Sequence, residues 1–141
     1  MPTRRAATLV ELLVVLAMTA ALFALVEPPV AAGLDRAAVR GASRDAERLF
    51  ASAREQALAR DAPVWVVIDS ARSEMRLRVP GTGTWSRPLG SVYGVALWST
   101  RDSMSYDGRG LGWGAANLTV VFARGRARDT LVVSRLGRVR R

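Results

Sequence analysis

The sequence contains no cysteine, no histidine and no lysine. Without cysteine there can be no disulfide, no thiol nucleophile and no thiolate metal site. Without histidine the commonest general base and the commonest metal ligand are both missing. Ser99, Ser105 and Ser134 therefore have no imidazole to activate them. The glycine-rich stretches at 81–83 and 108–114 lack the spacing and the lysine of a phosphate-binding loop. Asp107, followed by Gly108, reads as a turn aspartate. The acids are not clustered in the manner of a calcium site. These absences predict a protein with no catalytic residues, no metal and no cofactor.

What is present is apolar and basic. Half of the 141 residues are hydrophobic, and the net charge is +9. That length suits one compact domain with an appendage. Every basic residue is an arginine, and residues 124–141 hold seven of them against a single acid, Asp129. A basic balance of this kind favours anionic partners.

The hydrophobicity is concentrated at the start. From Ala6 to Val26 run 21 residues with one charge, Glu11. As a helix this stretch would span about 30 Å, the thickness of a bilayer core. Arg4 and Arg5 precede it, so the positive-inside rule predicts a cytoplasmic N-terminus and a single pass. A carboxylate in an apolar span costs about 2–4 kcal/mol and needs a reason. Cleavage between Ala6 and Ala7 would create an amine four residues from Glu11. That amine could neutralise the carboxylate within one chain or between neighbouring helices. Two other readings of the segment are a secretory signal peptide, cut near Val30-Ala31-Ala32, and a plain anchor. A buried core helix fits poorly, because the run is apolar on every face.

After Pro28-Pro29 the pattern changes. Apolar residues from Leu34 to Leu58 recur at three- and four-residue spacing, which predicts an amphipathic helix over 34–60 with a solvated charged face. Pro28, with Pro29 and Gly33, predicts a kink or a loosening of the rod. From Pro63 onward strands are expected at 64–68 and 74–79, pairing as a hairpin. Further strands are expected at 95–98, 105–106, 118–122, 130–134 and 137–140, with a break at Pro80-Gly81-Thr82-Gly83. The fold class is α+β: a long N-terminal helix, transmembrane in its first half, packed on an antiparallel β-sheet domain. The expected segments are 1–6 as leader, 7–27 as membrane and filament-core helix, 28–62 as its amphipathic continuation, and 63–141 as the β-rich domain.

A short basic leader, then Thr8-Leu9-Val10-Glu11, then an apolar run resembles the class III signal of type IV prepilins and type II secretion pseudopilins. The family usually has glycine and phenylalanine where this chain has Ala6 and Ala7. The turn Asp107-Gly108-Arg109-Gly110 and the closing phrase from Val132 to Arg140 are similar to those of the minor pseudopilin GspH/FimT family. The resemblance implies leader cleavage and N-methylation at Ala6-Ala7 and assembly roles for Thr8, Leu9 and Glu11. It implies three kinds of partner: other pilin-like subunits, a prepilin peptidase and an inner-membrane assembly platform. It also implies storage in the bacterial inner membrane with the C-terminal domain in the periplasm, and work as a minor filament subunit in secretion or in a pilus. The alternative it implies is a DNA-binding minor pilin for uptake. Arg135, Arg138, Arg140 and Arg141 would then hold phosphates, with Trp113 or Tyr106 as candidates to stack bases.

Overall fold

The computed structural model describes residues 8–113 and 117–141, and of residues 25–29 the backbone alone. The chain divides into two units, 1–34 and 35–141. In the first, helix α1 begins at Leu9; its assignment continues to Arg60 in the second. The expected kink at Pro28 falls among residues whose side chains lie outside the described set, and helix is assigned through that position.

The second unit carries the core. Its helical residues bury Val39, Ala42, Ala46, Leu49, Phe50, Ala53 and Ala57. Their spacing of three and four is one stripe of a helix. Four of those seven are alanines, whose small side chains let the helix lie close to its neighbours. The exposed face carries Arg48, whose ion pair with Asp45 at 3.2 Å is open to solvent and worth little to stability.

Among the described residues nine strands and one short helix follow: β1 Val64–Asp69, β2 Glu74–Val79, β3 Gly83–Arg87, α2 Leu89–Tyr93, β4 Ala96–Ser99, β5 Ser103–Tyr106, β6 Gly112–Trp113, β7 Leu118–Arg124, β8 Ala127–Val133 and β9 Val139–Arg140. They pair antiparallel, as expected, in two sheets: β3-β2-β1-β5-β6 and β4-β7-β8-β9. The division follows from the long-range pairing of β1 with β5, which sends β4 to the other sheet. Alternation carries each sheet's apolar face inward: Val64, Val66 and Ile68 on β1, Leu118, Val120 and Phe122 on β7. These residues join the helix stripe in one core. Phe50 and Phe122 have no exposed surface, and truncating a fully buried Phe to Ala costs about 3–5 kcal/mol.

Strand β3 was not expected, because all five of its residues are exposed and none alternates inward. It is held by pairing with β2 and by a polar clasp. Ser86 Oγ donates to Glu74 Oε1, and Arg76 Nε donates to the same oxygen at 3.0 Å. Arg76 first, then Ser86, hold the Glu74 carboxyl down to about 2. Helix α2 is docked by Tyr93, whose hydroxyl donates to Asp45 at 2.6 Å while its ring lies over Gly41, where a Cβ would meet it at 2.7 Å.

Candidate functional site

The first candidate is the start of α1. Thr8 N donates to Glu11 Oε2 at 2.8 Å, and Glu11 N donates to Thr8 Oγ1 at 3.3 Å. This is a reciprocal capping box, which satisfies two amides that the first helical turn leaves without partners. Glu11 therefore has a local role independent of any pairing with an amine, and Thr-x-x-Glu is the sequence signature of a capping box. Ala6 and Ala7 lie outside the described residues.

Beyond the cap the helix surface is apolar and open. Leu9 and Phe23 are 74% and 75% exposed, and consecutive residues from Leu12 to Leu16 present apolar side chains on every face. Thr19 does not interrupt this surface, because its hydroxyl donates back to the carbonyls of Val15 and Leu16 at 2.9 Å each. Among the described residues no helix is long and apolar enough to cross a membrane. The described side chains of the apolar run stop at Ala24 and resume at Val30.

The second candidate is the C-terminal arginine segment. The two phrases singled out in the sequence meet in space. Asp107 Oδ1 accepts from the amides of Arg109 and Leu111 at 3.0 and 2.9 Å, which folds 107–111 into a tight loop. Arg54 of α1 donates to the Gly110 carbonyl at 3.0 Å. The other phrase turns where Ser134 N donates to Arg138 O at 2.8 Å and Gly137 N donates to Ser134 O at 2.9 Å. A Cβ on Gly137 would meet the Tyr106 ring at 2.6 Å and Gly110 O at 3.2 Å, and one on Gly112 would meet Arg135 O at 3.0 Å. At Gly108 a Cβ would strike Asp61, the residue just past the helix. The glycines thus lock two turns to each other and to the end of α1. Tyr106 lies beneath them with no exposed surface, so it cannot stack a base, and burial pushes its hydroxyl from an ordinary 10 up to about 12. Trp113 is 73% exposed.

The four tail arginines do not form one patch. Arg138 and Arg140 are exposed and border a groove of about 650 Å³ whose other wall includes Glu47, Arg54, Glu55 and Leu58 of α1. Arg141 reaches Glu47 and Asp129, each at 3.7 Å. Arg135 stands beside Arg101, Met104 and Trp113. A denser basic site lies elsewhere. Arg36 and Arg40 of α1 share a cleft of about 550 Å³ with Arg126, Arg128 and Arg141, and among the described residues Asp129 is the one acid in its lining. Sequence reasoning missed this cleft. It read Arg36 and Arg40 as a solvated helix face, and no local signal links them to residues 90 positions later.

No protein-family model matches the sequence, and no curated protein matches it. Among solved structures, two crystal forms of the type IV minor pilin FimU of Pseudomonas aeruginosa align with it. One does so with a TM-score of 0.60 at 11% identity, covering 72% of this chain and 86% of that one. The other has a TM-score of 0.58 at 10% identity, covering 72% and 90%. At this identity the likeness is one of architecture. A long helix packed against antiparallel sheets, aligned over most of both chains, gives this protein a type IV pilin-like fold.

Proposed function

We propose that the protein is a minor pilin-like subunit, of the GspH/FimT kind, that helps to initiate or cap a periplasmic filament of a type II secretion system or a type IV pilus. The observation that carries this reading is the joining of a pilin-like domain to a helix whose large apolar side chains are exposed on all faces. Such a surface is costly in water at about 25 cal/mol per Å² and needs either lipid or neighbouring helices to cover it. The two alternatives are successive states of one subunit: residues 7–27 are stored in the inner membrane, then move into a filament core. A prepilin peptidase would cut after Ala6, and Ala7 would become the methylated N-terminus. An assembly platform would supply the transfer, and other pilin-like subunits would receive it. The subunit is structural, not catalytic.

In membranes of the native host, intact-mass measurement is expected to find a chain beginning at Ala7. A chain beginning at Gly33 would mean an ordinary signal peptide and would remove the filament reading.

DNA binding by the tail is a second reading, favoured by one observation. Arg138 and Arg140 are exposed beside an edge strand, and among the described residues no carboxylate lies within 4.0 Å of either guanidinium. On this reading the Arg138→Ala, Arg140→Ala double variant weakens duplex binding and lowers the magnitude of its log–log salt slope by about 2. An unchanged slope with unchanged affinity removes the tail from any such role.

A further inference from the structure

We propose that the cleft formed by Arg36, Arg40, Arg126, Arg128 and Arg141 docks on anionic phospholipid headgroups while the subunit is stored in the membrane, an inference that rests on the membrane-anchored reading above. The charge in the cleft is largely uncompensated. Among the described residues no carboxylate lies within 4.0 Å of the guanidinium of Arg36, Arg40, Arg126 or Arg128. Asp35, which could have neutralised the helix pair, is taken by Arg124 at 3.0 Å. Asp129 is shared with Arg141. The Arg40 side chain is turned back along the helix, with its Nε donating to the Arg36 carbonyl at 3.2 Å. Guanidinium groups bind phosphate oxygens in a planar fork, so a cleft of unpaired ones is matched in charge and geometry to a phosphodiester surface.

Position along the chain selects the lipid. Arg36 stands ten positions after Val26, where the apolar run ends. With so short a stretch between them, storage of the run in lipid tethers the cleft beside a surface of headgroup phosphates. A nucleic acid reaching the cleft would have to approach that same anionic surface, which repels it.

The chain's lack of cysteine allows a single reporter site. Thr130 is exposed and lies two residues along β8 from Arg128, on the same strand face. Thr130→Cys, carrying an environment-sensitive fluorophore, is introduced into the full chain. The protein is reconstituted into vesicles of phosphatidylcholine, with or without about one-third phosphatidylglycerol, containing a headgroup-bound quencher. Flotation is read first. A chain that floats with neither vesicle overturns the anchored reading and this proposal with it. In the floated protein, quenching is expected to be at least about two-fold stronger in anionic vesicles. It should fall to the neutral value in about 1 M salt, where the Debye length shrinks to about 3 Å. The same loss is expected in the Arg36→Gln, Arg40→Gln, Arg126→Gln, Arg128→Gln variant; the salt series on the unaltered cleft decides the matter if that variant misfolds. A floated chain with equal quenching in both vesicles, or with quenching that survives high salt, overturns the proposal alone. So does a reporter that responds to duplex DNA and not to anionic lipid.

Discussion

Gly137→Ala is expected to destabilise the domain by about 3 kcal/mol, whereas Gly81→Ala should cost only about 1 kcal/mol. The two positions have nearly the same backbone, with φ of 74° and 77°. An L side chain in that left-handed region costs about 1–2 kcal/mol at either site. Their surroundings differ. Among the described residues nothing lies within 4 Å of a Cβ at Gly81, but one at Gly137 meets the Tyr106 ring at 2.6 Å. Tyr106 is fully buried and cannot retreat into solvent, so the clash adds an overpacking cost of about 1–3 kcal/mol. For a domain of this size the gap corresponds to a difference of about 10 °C in the melting temperature. Thermal unfolding followed by near-ultraviolet circular dichroism, with both variants in the full chain, measures it. Equal losses at the two sites would mean that the turn from 134 to 138 is not locked onto the core, and the structural account of the closing phrase would fail.

The helix stripe from Val39 to Ala57 and the alternating strands β1, β2, β7 and β8 announce themselves, because a single buried face imposes a period of 3.6 or of 2. Strand β3 does not. Its pattern has no apolar alternation, and its place is fixed by a neighbouring strand and by the Glu74–Ser86 contact. The two-residue strand β6 and the five-residue helix α2 are shorter than any periodic signal. Partition into two sheets depends on β5 returning to β1, a contact between distant segments that local spacing does not encode. The glycines of the Asp107–Gly110 and Ser134–Arg138 turns were visible as a phrase, yet their job, packing turn against turn over Tyr106, appears only in three dimensions. The arginines show the same limit from the other side. Clustering at the C-terminus in sequence disperses in space, while Arg36 and Arg40 acquire Arg126 and Arg128 as neighbours.

Glu11→Gln should leave membrane insertion intact and reduce filament incorporation by about a hundred-fold or more. The capping box makes this the informative substitution. Glutamine can return the same bond to the Thr8 amide, so the helix start is preserved. Alanine would remove the cap as well, at a cost of about 1 kcal/mol, and would confuse two roles. What glutamine removes is the charge alone. Insertion becomes cheaper, since a neutral amide is easier to place in an apolar span than a carboxylate. If the freed amine of Ala7 on a neighbouring helix needs that charge, the amine is left buried without a partner during assembly, and breaking such a pair costs about 3–5 kcal/mol. Incorporation is measured by quantifying the protein in filaments sheared from the native host, against its amount in the membrane fraction. Assembly of Glu11→Gln at the level of the unaltered chain would reduce Glu11 to a helix cap, and the carboxylate would then carry no information about neighbouring subunits.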